Sequence, residues 1–268
     1  MASSQGKPAA RTTQETPSIQ SLDRGILILE LVGKSSSPVS LGYLTNILGI
    51  DRSSVFRLAN TLKRRGFLAH PSSGKEYVLG PSLWRLSRQY DWSNMLATVA
   101  HENLKSLAAL TNETAHLALR EGRSALFIDH ATSTHVISIS GQTGEYVPIY
   151  CSAHGKALLA DHSEGDLKSL FGDKPLKGYT KKTITTIKGL AAVCAEIKKR
   201  GYATDDGEYL EGVRCVAAPI RDRDDAVIGS IGISAPISRF PESRYAEYGK
   251  QAKECAKQIG AIISVQVD

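Results

Sequence analysis

Two short amphipathic segments joined by a glycine turn constrain this chain more than any other feature. Leu41, Leu44 and Leu48 recur at helical spacing, and the segment stops at Gly49. Gly49-Ile50-Asp51 makes a tight turn into RSSVFRLANTLKRR, residues 52–65, whose inner face is Val55, Leu58, Ala59 and Leu62. Gly66 ends that segment, and Phe67 can fold back on its last turn. Paired this way, the segments predict a helix-turn-helix. A first helix precedes them, with Leu22, Ile26, Leu29 and Val32 as its inward stripe and Gly33 as its left-handed stop. An SSSP loop follows, and Ser40 is placed to cap the second helix. After Gly66 the chain reads FLAH-PSSGKE-YVLG, two apolar runs around a turn, which predicts a β-hairpin. A hairpin directly after a recognition helix is a wing, so residues 18–80 are expected to form a winged helix-turn-helix.

The third helix carries five basic residues and no acid. Arg52, Ser53, Ser54, Phe56, Arg57, Asn60 and Arg64 are the candidate DNA-contacting residues. Arginine meets guanine edges and phosphates bidentately, while serine and asparagine supply adaptable hydrogen bonds. Lys63, Arg64 and Arg65 also suit the negative end of a helix dipole, whereas Arg52 and Arg57 lie near the positive end. Ser73 and Lys75 at the wing tip would touch the backbone of double-stranded operator DNA. Charge placement agrees. Residues 1–90 hold 12 Lys or Arg against 5 Asp or Glu, while the remainder holds 21 against 22. A nucleic-acid-binding module joined to a near-neutral partner accounts for that asymmetry.

Composition excludes other classes. No apolar run reaches the roughly 18 residues of a membrane helix. The first 17 residues are small and polar, lack the apolar stretch of a secretory signal, and read as a disordered tail. The four cysteines, Cys151, Cys194, Cys215 and Cys255, show no metal-binding spacing. Reduced thiols in a cytoplasmic protein are expected, with no cofactor and no metal.

Beyond Gly80-Pro81, residues 81–94 predict a linker helix capped by Ser82, with Leu83, Leu86 and Tyr90 as a stripe for a partner helix. A regulator that reads a palindrome needs a dimer, and this region is the candidate interface. Residues 95–268 predict a second domain. Its first helix turns Leu96, Val99, Leu104, Leu107 and Leu110 inward. From Thr114 the period changes to that of strands, including a run at VISIS. Helices are expected at SAHGKALLA, from Thr185 or Thr186 to Gly201, and from about Glu242. The fold class is α+β: an antiparallel sheet with helices packed on it.

Several side chains invite chemistry. Ser152-Ala153-His154-Gly155-Lys156 fails as a phosphate loop, because Tyr150 and Ala157 stand where glycine and Ser or Thr are needed. It remains a helix start with free backbone N–H groups suited to a carboxylate. His154 would add positive charge if protonated. Cys151 and His154 suggest a nucleophile and base without a third orienting group. His130 and His135 have no metal spacing. Asp205, Asp206 and Glu208 read as a solvated acidic turn. A redox enzyme or thiol sensor using Cys151 or Cys215 is the alternative function, and it requires acidified, exposed thiols.

These motifs, in order, resemble the IclR family of bacterial transcriptional regulators over residues 18–268. They are SLDRGILILELV, LTNILGIDRSSVFRLANTLKRRGFL, YVLG, SAHGKALLA, the stretch from TITTIKGL to CVAAPIRD, and IGISAPISR. The resemblance implies a winged helix-turn-helix with a GAF-like effector domain. It also implies a homodimer or dimer of dimers acting on operators near metabolic genes, controlled by a small organic acid or an aromatic compound. Carried onto matching positions, it implies effector contacts at Ala153, His154, Asp205, Cys215, Gly232 and Ser234. His154 stands where relatives carry a small residue, and Gly232 where some carry serine, so the effector's identity does not carry over.

Overall fold

The computed structural model describes residues 19–72, 74–87, 91–136, 138–139 and 141–266. The expected tail over residues 1–17, Ser73 and Tyr90 lie outside the described residues. The chain divides into two compact units, residues 1–90 and 91–268.

The first unit runs α1 (Gln20–Lys34), α2 (Leu41–Leu48), α3 (Arg52–Arg64), β1 (Leu68–Ala69), β2 (Val78–Leu79) and α4 (Pro81–Ser87). Ser40 caps α2 by accepting the Tyr43 N–H at 3.2 Å. Gly49 ends α2 at φ 63°, a left-handed conformation that glycine adopts without penalty. Asp51 caps α3, its Oδ1 accepting the Ser54 N–H at 2.9 Å. β1 and β2 pair antiparallel, and Val39 bridges to Tyr77 beside them. Ile28, Val32, Leu44, Val55, Ala59 and Leu68 form the core.

Three local expectations change. The buried face of α1 is Gly25, Ile28 and Val32, whereas Leu22 and Ile26 are exposed. Leu22, Ile26 and Leu29 instead line a surface groove with Leu58, Leu62 and Phe67, so the apolar stripe is wider than the core it meets. Gly33 does not stop α1; the helix runs to Lys34 and ends at extended Ser35. Ser82 donates to the Arg65 carbonyl at 2.8 Å instead of capping α4.

The second unit begins with α5 (Trp92–Thr111), β3 (Thr114–Glu121), β4 (Ser124–Ala131), β5 (Tyr146–Pro148), α6 (Ala153–Leu158) and α7 (Glu164–Phe171). It continues with α8 (Ile187–Arg200), β6 (Ala203–Asp206), β7 (Val213–Arg221), β8 (Val227–Pro236) and, after a 3-10 turn at Glu242–Arg244, α9 (Tyr245–Gln266). The strands form one antiparallel sheet in the order β5-β4-β3-β8-β7-β6. Alternation along the strands divides its two faces. Leu117, Val216, Ile231 and Ile233 pack with Leu96, Leu104 and Leu107 of α5 and Tyr248, Ala252 and Ile259 of α9. Ala118, Phe127, Val147 and Ile149 join a second cluster with Leu190 and Cys194 of α8, and Ala157 joins a third with Cys215 and Ala217. Leu110, expected inward, is 66% exposed on the last turn of α5. The described residues of the expected VISIS strand adopt no strand.

Candidate functional site: a buried cavity and a basic helix

The sheet's register gathers polar side chains on the face away from α5 and α9. His116 pairs with His130 on β4 and with Gly232 on β8, and Cys215 pairs with both Asp205 and Ser234. α6 lies against β7 and β8, which brings His154 over this face. The result is a cavity of about 80 Å³ whose lining includes His116, Phe127, Ala153, His154, Asp205 and Ser234. Cys215 also lines it, donating through Sγ to Ser234 Oγ at 3.2 Å. Five of the six positions expected around an effector thus share one cavity, whereas Gly232 stands off the lining. A Cβ at Gly232 would come within 2.1 Å of the Val216 carbonyl oxygen, so the serine of some relatives does not fit this backbone.

The cavity's electrostatics differ from expectation. His154 is fully enclosed, and burial pushes its imidazole down to about 3, so it is neutral rather than a source of charge. Its Nδ1 shares a 3.2 Å hydrogen bond with Ser230 Oγ, and its Nε2 has no partner. His116, which the sequence reading passed over, is 1% exposed, and neither ring nitrogen has a partner. Burial, together with His154 and His130 nearby, holds it well below the usual histidine value. A histidine inside the apolar run TAHLAL was the available signal.

The acidic turn is not solvated. Asp205 is 3% exposed, and burial pushes its carboxyl up to about 7 against the opposing pull of Lys156. Glu208 is ion-paired with Lys156, whose side chain is 1% exposed. That buried pair was missed because Lys156 was weighed only as a phosphate ligand. Asp206 does reach the surface, where it takes Arg214 at 2.5 Å and Lys182 at 2.6 Å.

The thiols offer no reactive centre. All four cysteines are buried and unpaired. Burial pushes Cys151 up to about 12 and Cys194 to about 11, and raises Cys215 and Cys255 as well. An acidified, exposed thiol is what redox sensing requires. Among the described residues no cluster of metal-ligating side chains occurs.

In the first unit, α3 exposes Arg52, Ser53, Phe56, Arg57, Asn60 and Arg64, with Ser54 half-buried. Ser53 Oγ is already committed to Asp51 Oδ1 at 2.5 Å, which leaves it less free to adapt to a base. Lys75 is exposed between β1 and β2.

Comparison with known proteins places this geometry. Residues 90–261 match the bacterial transcriptional regulator IclR C-terminal domain, and residues 21–71 match the IclR helix-turn-helix domain. The transcriptional repressor IclR of Escherichia coli is 32% identical over 255 residues, 94% of this chain and 93% of the relative. The HTH-type transcriptional regulator KdgR of the same organism is 29% identical, covering 92% of this chain and 94% of its own. The crystal structure of Thermotoga maritima IclR superposes with TM-score 0.60 at 28% identity, covering 91% of this chain and 99% of that one. These relatives are regulators of transcription, and the protein is a DNA-binding, non-enzymatic regulator. The chain belongs to the IclR family of bacterial transcriptional regulators.

Proposed function

We propose that the protein is a ligand-controlled, sequence-specific regulator of a metabolic, catabolic operon. It works in the cytoplasm as a homodimer or dimer of dimers. The winged helix-turn-helix, residues 18–80, reads double-stranded operator DNA through Arg52, Ser53, Ser54, Phe56, Arg57, Asn60 and Arg64, with Ser73 and Lys75 on the backbone. Residues 81–94 link it to the effector-binding and oligomerisation domain, residues 95–268. The effector is a small organic acid or aromatic compound seated among Ala153, His154, Asp205, Cys215 and Ser234.

The observation that carries this reading is the cavity itself. Its lining draws on all six strands of the sheet and on α6, and it includes two buried histidines, of which His116 Nδ1 and Nε2 and His154 Nε2 have no partner among the described residues. Buried polar atoms normally have partners, so these nitrogens are available to hydrogen-bond a ligand held in the cavity. Its volume of about 80 Å³ restricts that ligand to a few non-hydrogen atoms unless the walls move. Control requires that the effector bind one DNA-affinity state better than the other, since equal binding to both shifts nothing.

Calorimetric titration of a metabolite panel against wild type and Ser234→Leu tests the site. Leucine at this position fills the cavity, and any true effector should lose at least about tenfold in affinity, roughly 1.4 kcal/mol. Unchanged binding to the leucine variant would place the effector elsewhere.

A further inference from the structure

His116 is not among the effector contacts proposed above. It lies near the middle of the sheet, on β3, with its ring stacked on Phe127 at 4.6 Å and edge-on to His154 at 6.0 Å between centroids. Gly141 closes over it; a Cβ there would lie 2.4 Å from Nε2, so only glycine leaves room for the imidazole. The chain thus makes space for a buried histidine and then gives neither ring nitrogen a partner. An orphaned buried polar group is costly, and an apolar residue would avoid that cost. Among the described residues no lysine or arginine lines the cavity, and its acidic side chains are Glu145 and Asp205. Recognition at the His116 end therefore falls to uncharged hydrogen-bonding groups.

A neutral imidazole offers one N–H donor and one acceptor nitrogen. Both His116 and His154 are held in that form by burial. By distance alone, one oxygen can reach a nitrogen on each of two rings whose centroids are 6.0 Å apart. A hydroxyl can donate to one ring while accepting from the other, which a carboxylate oxygen cannot. We infer that His116 and His154 form a neutral imidazole clamp that selects an effector bearing a hydroxyl group. This rests on the cavity being the effector site, and it adds the chemical class of ligand and a specificity residue, His116.

The experiment uses matched pairs differing by one hydroxyl: glycolate against acetate, lactate against propionate, and 4-hydroxybenzoate against benzoate. Each is titrated calorimetrically into the full-length protein, wild type and His116→Leu, with Ser234→Leu as the site control. Wild type should bind the hydroxylated member of at least one pair about tenfold or more tightly than its partner. His116→Leu should bind both members of that pair equally, at the affinity wild type shows for the plain acid. Its denaturation midpoint at neutral pH should be unchanged or raised, because two orphaned nitrogens are gone. His116→Phe, which keeps the ring stacking, serves as the second variant. Discrimination that persists in folded His116 variants overturns the clamp. So does equal binding of both members of every pair by wild type, or binding of none. If binding is seen but Ser234→Leu leaves it untouched, the cavity reading itself fails; if Ser234→Leu abolishes binding while His116→Leu changes nothing, only the clamp fails.

Discussion

A histidine buried without partners leaves a signature in stability as well as in binding. His116 and His154 are neutral in the folded unit, at values well below 6.5 and about 3, and each takes up a proton once unfolded below pH 6.5. Unfolding therefore binds protons in that window, and stability falls as pH drops from 6.5 towards 3. Asp205 works in the opposite sense. Its folded carboxyl, at about 7, holds a proton between pH 3.8 and 7 that the unfolded chain releases, so it adds stability as pH falls. Taken alone, these two imidazoles against one carboxyl leave a net uptake of about one proton, roughly 1 kcal/mol lost per pH unit below 6.5, with His162, lowered, and Glu208, raised, adding contributions of opposite sign. Denaturant midpoints of the full chain measured at pH 7, 6 and 5 should fall accordingly. His154→Phe should flatten that slope, and a double variant lacking both imidazoles should reverse it; an unaltered slope would mean that the rings are protonated in the native state. None of this was legible beforehand. Sequence patterning says that His116 sits in a strand, but the depth of burial and the absence of a partner come from β3 lying between β4 and β8 and from Gly141 closing over the ring. The same applies to Lys156 and Glu208, fifty-two positions apart and joined by the way α6 lies against β6, just before Glu208.

At the scale of elements, local signals were read best. Ser40, Gly49, Thr186 and Gly201 delimit helices through capping chemistry that depends on a few neighbouring residues, and all are found at helix ends, whereas Gly33 does not stop α1 and Ser82 does not cap α4. Faces were read less well. Leu22 and Leu110 belong to apolar patterns, yet they are exposed, because a pattern shows that an apolar face exists and not how much of it a partner element covers. For α3 the pattern and the structure agree: Val55 and Ala59 are buried, and Arg52, Arg57 and Asn60 face outward. Arg57→Ala should weaken binding to the specific operator by about 1–3 kcal/mol if the guanidinium reads a base, while affinity for random duplex changes little. Lys75→Ala should lower both affinities alike and reduce the salt slope by about one. Gel shifts at several salt concentrations, on operator and on random DNA, separate the two. Operator affinity untouched by either substitution, in folded protein, would remove α3 and the wing from the interface.

At the scale of the whole molecule, the division of charge becomes a division of labour. The positive excess of the chain lies in its first ninety residues, which hold 12 basic and 5 acidic side chains, and the rest is close to neutral. Attraction to phosphate is therefore concentrated on a small unit that holds a single recognition helix. One helix reads only a few base pairs, too few to single out a site in a genome, whereas a twofold assembly doubles the contacts and imposes symmetry on the operator. In the proposed twofold assembly the cavity would acquire regulatory meaning. On the proposed function, an effector bound within residues 91–268 of a twofold assembly would change DNA affinity by favouring an arrangement in which the two recognition helices match, or miss, the spacing of the half-sites. Footprinting of the upstream region should show two protected half-sites related by a dyad, with centres about 10 base pairs or a multiple apart. Adding the effector should change the protection of both half-sites together, because the linkage runs through the geometry of the pair. Loss of protection at one half-site alone, or a footprint with no dyad, would mean that each subunit responds by itself, and the spacing of the pair would then play no part in control.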